Sequence, residues 1–343
     1  MRFVLRLVVF LLVAVVAAIG IAFVLPSTSH VERSITIDRP ASQVYMLLSG
    51  FKRFNEWSPW AARDPDTQYT WSGPDSGVGA KLAWSSMRSD VGSGSQTIVA
   101  LKDNESVAIE LDFADFGKSN ARFALAPVGV GTKVTWSLDS ELPLAFDRNF
   151  AWNVVGRYMG LAMDRMLGPD YEAGLKNLKR LVETFPNADV AGITPELVEL
   201  APRKIVYVTQ TVALDDPAAV AQSLREAFAQ VWRFAGDKKL ALTGGRLTLT
   251  RAFDGASWTY DAGAGAEWDV MPQDASVLGR QAPAGRAVRV VHTGSLRNLP
   301  KTVQQAHAWI AVRGLKTRDM TLQEYSGEPD APDLKVVVSI PVE

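Results

Sequence analysis

The 343-residue chain has no cysteine and only three histidines. Without cysteine the fold cannot rest on disulfides, so a body of this size must be held by its own apolar cores. His30, His292 and His307 have no metal-ligand or triad partner at a recognised spacing. A G-x-S-x-G elbow, an H-E-x-x-H motif and a phosphate-binding loop are also missing. Gly92-Ser93-Gly94-Ser95 reads as a flexible hairpin tip rather than a nucleophile site. Together these absences assign no catalytic residue, no metal and no cofactor. Charge of one sign is missing as well: 36 basic against 37 acidic residues give a net charge of −1, without clustering. That removes the electrostatic footprint expected of a polynucleotide binder.

What the chain does have is an unbroken apolar run from Leu7 to Leu25, about 19 residues and enough to cross a bilayer as a helix. A secretory signal is the competing reading, with Arg2 and Arg6 as its n-region and Ala17, Ala18, Gly20 and Ala22 near a cleavage point. The run exceeds the usual length of a signal h-region and lacks an A-x-A ending, so the expectation is an uncleaved anchor. Arg2 and Arg6 precede the run and uncharged Ser27-Thr28-Ser29 follow it. The positive-inside rule then puts the N-terminus in the cytoplasm and the remaining chain in the periplasm of a Gram-negative cell, single-pass in the inner membrane.

About 315 residues follow, more than one core usually organises. Periodic patterning stops between Phe185 and Pro202, where Pro186-Asn187-Ala188-Asp189, Gly192 and Pro195 bring turn-formers. The expected layout is an anchor and short linker over 1–29, a first domain over 30–186, a linker over 187–202 and a second domain over 203–343. In the first domain a strand over Val31–Ile37 is followed by a helix begun by Pro40. Six strands are expected between Gln68 and Asp139, then a helical region from Phe146 to Glu183 that Gly168-Pro169 should kink or break. The Asn104-Glu105-Ser106 sequon is read as part of a hairpin turn after Lys102-Asp103. The second domain repeats one order of elements, strand, helix and two strands, first over 203–260 and again over 286–340. The fold class is therefore α+β.

Two family resemblances sit on these residues. Trp57-Ser58-Pro59-Trp60, Asp64-Pro65 and the segment from Met166 to Lys179 resemble the polyketide cyclase/dehydrase group of the SRPBCC superfamily, over roughly His30 to Glu183. That resemblance implies a START-like helix grip, in which a bent antiparallel sheet closes around the C-terminal helix and the space between commonly holds an apolar ligand. Pro283-Ala284-Gly285-Arg286, His292-Thr293-Gly294, Trp309, Glu324-Tyr325, Glu328-Pro329 and Ile340-Pro341-Val342 resemble GyrI-like effector-binding domains. There this chain has Ser295-Leu296 where that family often has a tyrosine. An acidic residue in an aromatic pocket is what this second resemblance implies at Glu324.

Ten tryptophans are many for this length. Their large apolar area with one hydrogen-bond donor suits either a core or a cavity lined by rings. The candidate ligand-binding residues are Trp57, Trp60, Trp71, Trp84 and Trp136 in the first domain. In the second they are Trp258, Tyr260, Trp309, Glu324 and Tyr325, where a desolvated carboxylate among rings would attract an organic cation. The expected function is a membrane-anchored binder of small hydrophobic or cationic molecules that senses, carries or sequesters them. The partners are that small molecule and the inner membrane through residues 7–25, with no nucleic acid. The alternatives are a cyclase/dehydratase-like or hydrolytic enzyme, and a non-catalytic envelope scaffold.

Overall fold

In a computed structural model, residues 2–113, 117–144, 149–269 and 276–343 are described. The apolar run forms a helix, α1 (Arg2–Ala22), with a mean hydropathy of 2.9 and no part of that window buried. It is long and apolar enough to cross a membrane, as an anchor or as a signal sequence would. The chain then forms an α+β fold divided into two compact units, Met1–Thr184 and Phe185–Glu343.

The first unit is a seven-stranded antiparallel sheet and three helices. Its strands are β1 (Thr28–Ile37), β2 (Gln68–Ser72), β3 (Lys81–Ser85), β4 (Ser93–Lys102), β5 (Ser106–Asp112), β6 (Lys118–Val128) and β7 (Gly131–Glu141). They lie in the order β1-β7-β6-β5-β4-β3-β2, a meander closed by the first strand returning beside the last. Between β1 and β2 come α2 (Ala41–Leu48), which starts behind Pro40, and one 3-10 turn at Phe54–Glu56. Asn104 does take a turn conformation, with φ at 58°, between β4 and β5.

After β7 runs α3 (Phe150–Glu183). Residues 146–148 of the expected helix lie outside the described residues. Pro169 does not break α3, which continues through it. The hydrogen bond lost to proline, of order 3 kcal/mol in a free helix, is offset here by packing on both sides of it. Gly168, Tyr171, Gly174, Leu175, Leu178 and Val182 form its buried stripe. That stripe runs along β1: Lys179 Nζ donates to the Thr36 carbonyl at 2.8 Å and Glu183 accepts from the Asp38 N–H at 2.9 Å. Arg33 on β1 bridges Asp164 at 2.7 Å and Glu172 at 3.0 Å. Two glycines lie at the closest approaches. A Cβ at Gly168 would stand 2.1 Å from the Arg33 guanidinium, and one at Gly174 would stand 2.9 Å from the Trp136 ring and 3.1 Å from Pro59.

The second unit is built on an eight-stranded antiparallel sheet. Its elements are β8 (Glu196–Leu200), β9 (Lys204–Ala213), α4 (Pro217–Asp237), β10 (Leu242–Phe253), β11 (Ser257–Ala266), β12 (Leu278–Gln281), β13 (Gly285–Thr293), α5 (Leu299–Val312), β14 (Thr321–Ser326) and β15 (Lys335–Pro341). The strand order, β12-β9-β11-β10-β14-β15-β13-β8, reads the same from either end as two copies of one unit. In each copy the first long strand pairs with the last, and β10 joins β14 at the centre. The two short strands are exchanged. β8, in the stretch expected to be linker, pairs with β13 of the second copy, and β12 pairs with β9 of the first. The sequence offered four or five residues beside Ala-Pro for each, too short to carry a period.

Both helices cover one face of this sheet. Asp216 caps α4 by accepting from the Ala218 N–H at 2.8 Å, with Pro217 in the first turn. Leu224, Phe228 and Val231 of α4 and Ala306 and Ile310 of α5 share the larger core with Val206, Tyr260, Val288, Val338 and Ile340. A smaller cluster, with Ile205, Tyr207, Leu247, Leu249 and Leu322, occupies the other face.

The Gly174 contact generates a stability prediction. Gly174→Val should destabilise the first unit by about 1–3 kcal/mol, because neither the Trp136 ring nor Pro59 has room to withdraw. Urea unfolding followed by tryptophan fluorescence measures it, and an unchanged midpoint would show that α3 does not bear on Trp136 as described.

Candidate functional site

The residues that carried the first resemblance hold α3 to the sheet. Tyr171 stacks on Trp136 with centroids 3.9 Å apart, and Trp136 stacks on Phe123 at 5.0 Å. Trp57 and Trp60 meet Trp136 edge-on at 5.7 and 5.9 Å. Such pairs add about 0.5–1.5 kcal/mol each beyond the area they bury. Asn177 donates to the Trp57 carbonyl at 3.3 Å, and Asp170 pairs with Arg63. Asp64 accepts from the Ser86 hydroxyl at 2.5 Å and from the Asp66 N–H at 3.0 Å, tying the loop before β2 to the end of β3.

Of the aromatic residues expected to line a cavity, the structure thus brings Trp57, Trp60 and Trp136 together as packed core. Trp71 and Trp84 stand elsewhere on the same inner face. Trp71 is 40% exposed and donates to the Phe51 carbonyl. It borders a crevice of about 40 Å³ with Phe51, Lys52 and Pro74, room for a few waters rather than an organic ligand. Trp84 lies over Gly94, where a Cβ would stand 2.8 Å from its ring, and meets Phe113 edge-on at 6.1 Å.

The feature that sequence reasoning missed lies between these groups. Ser29, Ser140, Ser119, Leu111, Gln96 and Leu82 fall in one register row across the inner face, each paired with the next. The four polar members are 5–9% exposed or less: Ser29 8%, Ser140 7%, Ser119 7% and Gln96 5%. Ser119 and Ser140 satisfy one another at 2.7 Å. Ser29 Oγ and Gln96 Nε2 are buried without a hydrogen-bond partner, as is the indole N–H of Trp136. An unmade buried hydrogen bond costs about 1–3 kcal/mol, so such groups call for an explanation. The adjacent row, Val31, Leu138, Ala121 and Ile109, is wholly apolar and buried. The polar row therefore closes one end of an apolar interior. That end is where the chain arrives from α1, and Gly160 of α3 passes it with Ser29 Cβ 3.7 Å from the position of its own Cβ. Serines alternating along strands look solvent-facing in a sequence; only the register shows them aligned and inward.

In the second unit the expected residues are divided between two faces. Trp258 and Tyr260 stack at 4.1 Å on the helix-covered face, with Tyr260 bonded to Ser223 at 2.8 Å and Trp258 to Thr250 at 3.1 Å. Tyr325 lies on that face too, donating to Gln323 at 2.7 Å, with Thr248 3.2 Å from its hydroxyl. Burial pushes the Tyr260 phenol up to about 12 and that of Tyr325 higher still. Trp309 packs at the edge of the same core under the Arg313 guanidinium, 5.3 Å from its ring. Glu324 is a correction to the expected pocket. It is paired in register with Leu247 on the opposite face, and its carboxylate meets Arg203 at 2.9 Å. The structure does not bring it to the rings, because residues one apart on a strand point to opposite sides. The residue that shares a face with Tyr325 is Gln323.

Other groups are accounted for locally. His292 Nδ1 lies 2.9 Å from the Thr302 hydroxyl, and its Nε2 lies 3.1 Å from the Ser295 carbonyl. His30 meets Asp139 at 2.7 Å in the open, and burial pushes the pKa of His307 down. Asp261, fully buried, is held by Arg251, Arg280 and Thr209 at 2.5, 3.4 and 2.7 Å. Among the described residues no group of three His, Asp or Glu side chains is placed to hold a metal ion.

A family model described as "Polyketide cyclase / dehydrase and lipid transport" matches residues 28–183. No functionally curated protein matches the chain. Among solved structures the chain is similar to the EcmrR C-terminal domain, at 21% identity over 44% of this chain and 98% of that one, with a TM-score of 0.36. A hydrolase from Listeria innocua is similar at 15% identity over 44% of this chain and 92% of that one, with a TM-score of 0.32. EcmrR in complex with DNA is similar at 16% identity over 58% of this chain and 75% of that one, with a TM-score of 0.37.

The Asp64 contacts generate a pH prediction. The Ser86 hydroxyl, together with the Asp66 N–H, holds this carboxyl below the usual aspartate range. A depressed folded pKa gives stability that is fully present above the unfolded value, about 4, and is lost as pH falls through the folded one. Acid titration of the first unit should therefore show an unfolding limb below about pH 4 that Asp64→Asn flattens. Identical limbs in the two proteins, followed by tryptophan fluorescence, would count against it.

Proposed function

We propose that this is a membrane-anchored protein that binds small apolar molecules in its first unit. The observation that carries the reading is the polar row. Ser29 Oγ and Gln96 Nε2 in that row, and Trp136 Nε1 two register rows away, are buried without a protein partner on an inner face that also carries Arg33, paired with Asp164 and Glu172. A ligand with an apolar body and a polar group seated at either end of the row would give Ser29 or Gln96 a partner and leave its body against Val31, Leu138 and Ala121. The match of residues 28–183 to a family whose description includes lipid transport supports the same chemistry.

Anchoring is supported by α1, and the orientation by Arg2 and Arg6 before it and the uncharged residues after it. On this reading both units face the periplasm. A ligand drawn from the bilayer would meet the polar row first, since β1 begins at Thr28, six residues after α1 ends. Carriage or sequestration fits this arrangement, and sensing would require the second unit to respond. The cationic-ligand reading, with Glu324 among rings, has lost its support to the Arg203 ion pair. An enzymatic role would need titratable groups converging in the interior, whereas the inward polar row is made of hydroxyls and one amide.

The test pairs binding with stability. Full-length protein purified in lipid nanodiscs from its own host, extracted with organic solvent, should yield a reproducible apolar compound carrying one polar group. Gln96→Met should lose most of that compound while gaining about 1 kcal/mol in the ligand-free protein, because an unpaired buried amide is replaced by a side chain of similar volume. Undiminished ligand recovery from a stabilised Gln96→Met protein would sink the proposal.

A further inference from the structure

The first half of α3 is not needed to build the core of the first unit. From Phe150 to Leu167 none of its residues is buried, and the buried stripe begins only at Gly168. It nevertheless carries an apolar stripe of its own. Trp152 is 74% exposed, and Val155, Met159 and Met166 are exposed at helical spacing along the same side. This side lies roughly a third of a turn around the helix from Gly160, which faces Ser29 on β1, and Leu161, also exposed, lies on a different side. From Phe150 to Met163 the only charged side chain is Arg157. An exposed apolar surface of this length is a surface meant for something.

The same half-helix is fastened to α1. Tyr158 donates its hydroxyl to the Ala18 carbonyl at 2.7 Å, and Arg157 donates to the Leu25 carbonyl at 2.6 Å. Ala18 lies inside α1, about 6 Å from its end at Ala22 at 1.5 Å per residue. Tyr158 thus reaches to a depth at which α1, if it spans, is already within the bilayer. Because Tyr158 and Arg157 hold this half-helix against the end of α1, lipid around α1 would also reach the stripe. Tryptophan and tyrosine at this level, with an arginine able to extend to the headgroups, are the residues that favour a membrane interface.

From this we infer that the first half of α3 lies in the bilayer interface beside α1, with Trp152, Val155 and Met159 inserted into lipid as a second point of membrane contact. The inference rests on the anchoring reading above and adds to it a seated position. The unit would be held with the polar-row end of its interior against the membrane, rather than swinging on the few residues between α1 and β1.

The native chain has no cysteine, so single positions can be labelled without background. Full-length protein with a polarity-sensitive fluorophore at Val155→Cys or Met159→Cys would be reconstituted in phosphatidylethanolamine/phosphatidylglycerol vesicles. Lipids spin-labelled near the headgroup would serve as quenchers. Val13→Cys, within α1, reports anchoring. Val130→Cys, 82% exposed in the turn after β6 at the far end of the sheet, reports the aqueous side. The expected result is blue-shifted emission and several-fold stronger quenching at 155 and 159 than at 130. If 13 is buried in lipid while 155 and 159 behave like 130, the inference fails and the anchor stands. If 13 also behaves like 130, the anchoring reading fails and takes the inference with it. Labels at 159 that are shielded from lipid but cross-link between copies would assign the stripe to a second copy and overturn the inference.

Discussion

The close seating of α3 along β1 is the constraint on which the first unit depends. Gly174 permits it at the nearest approach, between Trp136 and Pro59, and Gly168 passes beneath the Arg33 guanidinium. Because the helix comes so close, Tyr171 can stack flat on Trp136 and the rings of Trp57, Trp60 and Phe123 can close around it. The packed rings occupy the middle of the space between helix and sheet, in the row of Arg33, Trp136 and Phe123, and the sheet turns hydroxyls and an amide inward two rows away, at the end where β1 begins.

A buried polar row on an apolar face is a standing cost, and the molecule bears it at two atoms or more. Replacing Ser29 and Gln96 by apolar residues would be the simpler way to a stable sheet, as the neighbouring row of Val31, Leu138 and Ala121 shows. The second unit presents the contrast: Tyr260, Tyr325, Gln323 and Thr248 are as deeply buried, but each hydroxyl there has a neighbour. Those four are satisfied by side chains of their own unit, although Ser339 Oγ, Arg289 Nε and Trp268 Nε1 of the same unit are also buried without a protein partner.

Much of the fold was legible because its signals are local. Alternation marked the long strands, Pro40 marked a helix start, and the recurrence of strand, helix and two strands gave the duplication of the second unit. The exchanged strands β8 and β12 were not legible, since each is fixed by the opposite copy and has too few residues to show a period. The candidate sites were less legible still. A one-residue step decides which face a strand residue occupies, and reading Glu324 for its charge put it with Tyr325 when the alternation already paired Tyr325 with Gln323. The polar row depends on five strands falling into register, which no single stretch of sequence contains.

The same register argument connects the two ends of the first unit to the membrane. β1 starts immediately beyond α1, so the first inward side chains of the sheet, Ser29 among them, are necessarily those nearest the point where the chain leaves α1. Helix α3 runs in the same direction as β1, because Gly160 lies by Ser29 and Glu183 by Asp38. Its residues before Gly160 must therefore project past the start of the sheet, on the side of α1. An apolar stripe placed there cannot contribute to the core, and hydrogen bonds from Arg157 and Tyr158 to α1 keep it from turning away. One geometric fact, a helix laid parallel to the first strand and longer than it, thus sets both the apolar stripe and the polar row at the end of the unit that α1 enters.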